Sequence, residues 1–272
     1  VKLSLVFQIF LARMAVGTLI ALVPHWATRP AERHLRFQVL LALVLGAGAA
    51  ALYLPALGES NPEWPRGMAA FLSFEGGMPI FLVLMCVMCI AVNAFFGTFK
   101  RRAGRIALSI AIVLGLGVVF GTARLTSGDA SLVTLTVVAL GGLLGGLLMA
   151  SINDAMILGH FYLMIKGLPL GALRRAGRVV AIVIALKLLH FGGVLLFWEG
   201  ASETLLGREM VWTAWRVCFG FVGPITLLWM VKDTVRLQHT QAATGLLYVA
   251  VGFALMGELA AVYLEMQTGI PV

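Results

Sequence analysis

Charged side chains are scarce in this chain. Asp, Glu, Lys and Arg make up 12% of its 272 residues, half of the roughly 25% usual in soluble domains, and hydrophobic residues make up 61%. A water-soluble fold is excluded. Acidic residues are the rarer sign, 12 against 20 basic, for a formal charge of +8. The basic residues stand in short segments beside apolar runs, where orientation in a membrane explains them better than nucleic acid does. Cysteine is scarcer still: Cys86, Cys89 and Cys218 all fall inside apolar segments, which excludes a secreted-type disulfide framework. Cys86 and Cys89 form a CxxC, but within the unbroken run 81–92 they are helical neighbours and read as core packing. There is no Walker A loop, no GxGxxG after a strand, no HExxH and no clustered Cys/His set, so neither a soluble-type enzyme nor a metal centre is expected. The 12 methionines are scattered through apolar runs as ordinary gap-fillers rather than copper ligands.

What the chain has in abundance is apolar length. The stretches 3–24, 35–57, 78–99, 104–122, 131–165, 177–198, 211–231 and 243–265 are each long enough to cross a hydrocarbon core of about 30 Å. In lipid the backbone must satisfy its own polar groups, and runs without the alternation of barrel strands do so as α-helices. The expected fold is therefore an all-α integral membrane protein, a bundle of eight transmembrane helices forming one polytopic domain over 1–272. The first stretch has no charged leader followed by a small-residue cleavage site and reads as the first span, not a signal peptide.

Charge sorting sets the orientation. The connections after spans 1, 3, 5 and 7 carry Arg29, Arg33 and Arg36, then Lys100, Arg101, Arg102 and Arg105, then Lys166, Arg174, Arg175 and Arg178, then Lys232 and Arg236. These belong on the cytoplasmic side. The opposite connections and ends hold Lys2, Arg66, Arg124 and Arg208 with Glu59, Glu63, Glu75, Asp129, Glu199, Glu203, Glu209 and Glu265, so both termini are expected on the outer, periplasmic or extracellular, side. The setting this implies is a multi-pass protein of a bacterial inner membrane. The longest outer connection, 58–77, carries Pro62, Trp64 and Pro65 and suits a turn-rich cap or a short surface helix. Trp26, Trp64, Trp198, Trp212 and Trp229 lie near the expected interfaces as an aromatic belt. His25 and His34, in a basic connection, read as orientation or lipid-headgroup residues. Polar residues do not recur at matching places in the two halves, which gives no support to an inverted-repeat transporter.

Ionisable groups inside a span are costly and face the bundle interior or a water path. Here they are Arg13, Asp154, Lys187, Arg216 and Glu258, with His160 and His190. Lys187 and His190, at i and i+3, project to one side and need a counter-charge. Glu258 is a partner for Arg216 or Arg13, since burial without pairing costs several kcal/mol. Span 5 would be about 50 Å long if unbroken. Gly142, Gly146, Met149, Asn153, Met156 and His160 follow one face of it, a glycine ridge leading to a polar end, and Asp154 is turned away toward a neighbouring helix. The ridge reads as close helix packing. The polar end reads either as a structural pair between helices or as a proton-handling pocket. His160 and His239 lie at similar depth and would be the axial ligands if the chain held haem b.

These residues leave three functions open. The first is a membrane-embedded subunit of a respiratory or photosynthetic-type redox complex, quinone-interacting or proton-conducting, not catalytic alone but the quinone-reactive part of an oxidoreductase. In outline, with eight helices, outward termini and polar groups buried at two depths, the chain resembles the polytopic quinol-oxidising anchors of the polysulfide-reductase membrane-subunit type. The resemblance implies other membrane and redox subunits as partners, since electrons must come from outside the chain. In this reading Asn153, Asp154 and His160 exchange protons with a quinone headgroup, and Lys187, His190, Arg13 and Glu258 form an inner polar path. The second is a solute or ion permease in which Pro224 and the glycine-rich span 5 break helices. The third is a structural scaffold subunit whose charges only join helices. Under the first, Asp154→Asn is expected to impair quinone turnover without dispersing the complex; unchanged turnover measured on the purified complex removes that role.

Overall fold

Apolar runs that cannot hand their amide groups to lipid close them internally, and each run is helical. The computed structural model describes residues 3–26, 32–60, 74–98, 100–128, 130–164 and 171–272. Among the described residues eight helices have membrane-spanning length and composition: α1 (Leu3–Ala21), α2 (Glu32–Ser60), α3 (Phe74–Gly97), α4 (Arg101–Ser127), α5 (Leu132–Met164), α6 (Gly171–Phe197), α7 (Met210–Arg236) and α8 (Thr240–Thr268). The all-α, multi-pass expectation holds. Most helices outrun the apolar stretches because their charged flanks continue the helix. Most of the connection 58–77, including Pro62, Trp64 and Pro65, lies outside the described residues. Two ends are set by glycine: Gly128 (φ +59°) and Gly269 (φ +70°) take left-handed conformations and donate their N–H groups to the Arg124 and Glu265 carbonyls at 2.9 and 2.8 Å. His34, expected in a connection, instead sits in the first turn of α2 and is buried.

The helices form two compact units, divided within α5 between Gly146 and Leu147. In the first unit α1 packs on α2 and α4, and α3 packs on α2 and α4. Glycine lets the helices close up. A Cβ on Gly117 or Gly121 of α4 would lie 3.0 Å from the Phe81 ring and 2.6 Å from Met78 Cβ of α3. Gly142 and Gly146 of α5, the expected glycine ridge, receive the Arg13 guanidinium and the Arg13 main-chain carbonyl of α1. This is the small-xxx-small device by which membrane helices gain van der Waals contact where water supplies no driving force.

In the second unit α7 packs between α6 and α8, and α5 meets α8 where Gly159 faces Thr244. Span 7 is not a uniform α-helix: Cys218–Val222 forms a π-turn ahead of Pro224, an interruption that tends to mark functional positions. At that turn the backbones of α7 and α8 touch, and a Cβ on Gly257 would collide with Gly220 main-chain atoms. Phe219 and Phe253 stack beside the contact at 5.1 Å, and Trp212 and Tyr263 at 4.6 Å. Because the obstacle is backbone, Gly257→Ala is expected to lower stability by about 1–3 kcal/mol, read as a lower unfolding temperature in mild detergent, whereas Gly252→Ala, whose Cβ meets open space, should leave it unchanged.

Candidate functional site

Helix rise brings three of the expected charges to one level. Lys187 lies 16 residues from the start of α6, Arg216 20 residues from the end of α7 and Glu258 18 residues from the start of α8; at about 1.5 Å per residue these are all about 24–30 Å from the helix ends rich in basic residues. Arg216 Nη2 stands 2.9 Å from Glu258 Oε1 and Lys187 Nζ 3.7 Å from Glu258 Oε2. Lys187 Nζ also donates to the Val272 main-chain oxygen at 3.1 Å, because the chain folds back after Gly269 and buries Ile270 and Val272. Arg216 is 0% exposed, Lys187 1% and Glu258 4%, so none of the three charges is met by bulk water and each depends on the others.

The space for this cluster comes from the glycines of the helix contact. A Cβ at Gly220, one turn after Arg216, would occupy the position of Arg216 Nη1. The Gly220–Gly257 approach brings α8 close enough for the next residue, Glu258, to reach the guanidinium. Phe221 caps the group, its ring centroid 4.4 Å from Arg216 Cζ, a cation–π contact strengthened by desolvation. Arg216 Nε and Nη1 and the neighbouring buried Thr213 Oγ1 have no hydrogen-bond partner among the described residues. Arg216 and Thr213 are three residues apart and share a face of α7. A buried donor without an acceptor costs about 1–3 kcal/mol, so a fully buried guanidinium with two such nitrogens is suited to a bound acceptor, an anion or a carbonyl oxygen.

The other expected residues distribute differently. Arg13 belongs to the first unit, where its Nε donates to Thr122 Oγ1 at 3.3 Å, while Glu258 takes Arg216 and Lys187. His190, one turn after Lys187 on α6, is half-buried. Asn153 and Asp154 are buried on α5; the Asn153 amide nitrogen has no hydrogen-bond partner among the described residues. His160 is exposed, with Nδ1 3.4 Å from the Tyr248 hydroxyl of α8, so spans 5 and 8 are neighbours there. His239 is exposed at the start of α8. Glu265, expected at an outer end, lies inside α8 and is buried on the face of Glu258, seven residues on. No group of three or more His, Cys, Asp or Glu suited to a metal occurs among the described residues.

A list confined to ionisable groups misses the uncharged polar residues: Gln8, Thr122 and Thr213 are buried as deeply as the charges. For Thr213 a signal was present, Thr213, Arg216 and Gly220 at steps of three and four on one helical face. Comparison with protein-family models, curated proteins and solved structures gives no match.

Removing one member of a buried ion pair costs about 3–5 kcal/mol because the other charge is left uncompensated. Glu258→Gln is therefore expected to destabilise by that order in thermal unfolding, and Arg216→Gln with Glu258→Gln to cost less than the sum of the single changes. Additive losses would show that the two side chains are not coupled.

Proposed function

We propose that this chain is the quinone-interacting, proton-handling membrane subunit of a redox complex, with Arg216, Thr213, Glu258 and Lys187 forming the headgroup site. The observation that carries the reading is the fully buried Arg216 with donors unspent beside a carboxylate. A quinone, when bound, supplies the two-electron, two-proton couple. The residues of this chain hydrogen-bond a carbonyl oxygen through Arg216 and Thr213, and hold or release a proton at the Glu258 carboxyl. Lys187 offsets the Glu258 charge, and the dry surroundings strengthen each contact. Asn153 and Asp154, about 15 Å from the basic-rich end of α5, suit a step of a proton route toward that end. Electrons would come from partner subunits in the same membrane, a bacterial inner membrane in this reading. Haem b is not required by it.

A permease is the second reading, and the π-turn at Cys218–Val222 beside Arg216 favours it, since transporters build their sites at interrupted helices. The test is binding of a quinol-site analogue to the protein purified in mild detergent. Arg216→Gln is expected to weaken binding about 10- to 100-fold, the worth of a hydrogen bond to a charged group, with folding followed separately by thermal unfolding. Absence of binding to folded wild-type protein, or an unchanged Kd in the variant, rejects the quinone site. Ion flux through proteoliposomes holding this chain alone would support the permease.

A further inference from the structure

The ends of α6 and α7 that lie near the basic connections form a groove unrelated to the Arg216 cluster. It has a volume of about 880 Å³ and is lined from α6 by Leu173, Arg174, Gly177, Arg178 and Ala181, and from α7 by Ile225, Leu228, Trp229, Val231, Lys232, Val235 and Arg236. The α6 residues recur at steps of three and four, as do those of α7, so two helical stripes face one another, and a Cβ on Gly177 would lie in ordinary contact, 3.9 Å, with Leu228. Along the groove the chemistry changes abruptly. Arg174, Arg178, Lys232 and Arg236 gather at its mouth, near the helix ends; Ile225 and Trp229 lie deeper, one to two turns further into α7, and remain 42% and 66% exposed. Among the described residues none of the four cations has a carboxylate partner.

We infer that this groove is a binding site for an anionic diacyl phospholipid of the cytoplasmic leaflet. The headgroup phosphate neutralises Arg178 and Lys232, supported by Arg174 and Arg236, and an acyl chain lies along Ile225, Leu228 and Trp229. Charge complementarity selects this occupant. Four clustered cations at the polar–apolar boundary favour an anionic headgroup over a zwitterionic one, guanidinium groups match phosphate geometry, and the apolar continuation needs a chain covalently attached to that phosphate. Leu173, Val231 and Val235, which also line the groove, are buried. The site stands apart from the quinone proposal and does not depend on it.

Trp229 supplies the reporter. The full-length protein is placed in phosphatidylcholine nanodiscs containing either phosphatidylglycerol or phosphatidylcholine with brominated acyl chains at equal mole fraction, and the Trp229 contribution is isolated by difference from Trp229→Phe. Brominated phosphatidylglycerol is expected to quench Trp229 at about tenfold lower mole fraction than brominated phosphatidylcholine, and Arg178→Gln with Lys232→Gln to abolish that preference. Arg101→Gln with Arg102→Gln removes the same charge from the start of α4 and is expected to keep the preference; equal loss in both pairs would reduce the effect to general surface attraction and overturn the site. Equal quenching by the two lipids overturns it as well. Relief of quenching by millimolar inorganic phosphate would show a free-phosphate site in place of a lipid site.

Discussion

A carboxylate that water does not reach must find its countercharge in protein, and the second unit is organised around meeting that demand at Glu258. Arg216 and Lys187 come from two other helices to one carboxyl group, so the ion cluster fixes the rotation of α6, α7 and α8 about their own axes. Apolar packing alone does this poorly in lipid, where a leucine facing a neighbour and a leucine facing an acyl chain differ little in free energy. A turn of α8 by a single residue would swing Glu258 about 100° away and leave both cations uncompensated, and the same turn of α6 or α7 would remove one cation from the carboxylate.

The cluster in turn requires backbone at close quarters. Gly220 and Gly257 let α7 and α8 touch main chain to main chain, and the absence of a side chain at Gly220 is what leaves room for the Arg216 guanidinium. The π-turn at Cys218–Val222 coincides with this contact. In the first unit Arg13 donates to a hydroxyl acceptor, Thr122, and the glycine ridge of α5 accommodates both its guanidinium and its carbonyl. In both units glycine creates the space that a buried arginine fills.

Much of this was legible in the sequence for a stated reason. Lipid forces each long apolar run to be a helix, so counting runs counts spans, and the expense of burying charge makes Arg13, Asp154, Lys187, Arg216 and Glu258 stand out against their surroundings. The pairing of Glu258 with Arg216 was one of two open choices, because helical periodicity tells which residues share a face but not which face meets which helix. His34 was read as a connection residue because α2 begins ahead of its apolar stretch, at Glu32, and carries His34 into its first turn, where it is buried. The groove of α6 and α7 had no distinct sequence signal: its cations were read as orientation charges.

The sequence by itself determined the number of crossings, the helical class and the short list of charges that demand an explanation, since each follows from local composition set against a solvent that cannot hydrogen-bond. Only the tertiary structure decided that Lys187 joins Arg216 on Glu258, that Thr213 stands beside them, and that Arg174 and Arg178 share a groove with Lys232 and Arg236. Those facts depend on contacts between helices distant in the chain, and close approach is governed by where two glycines coincide in space, which no spacing along a single helix records.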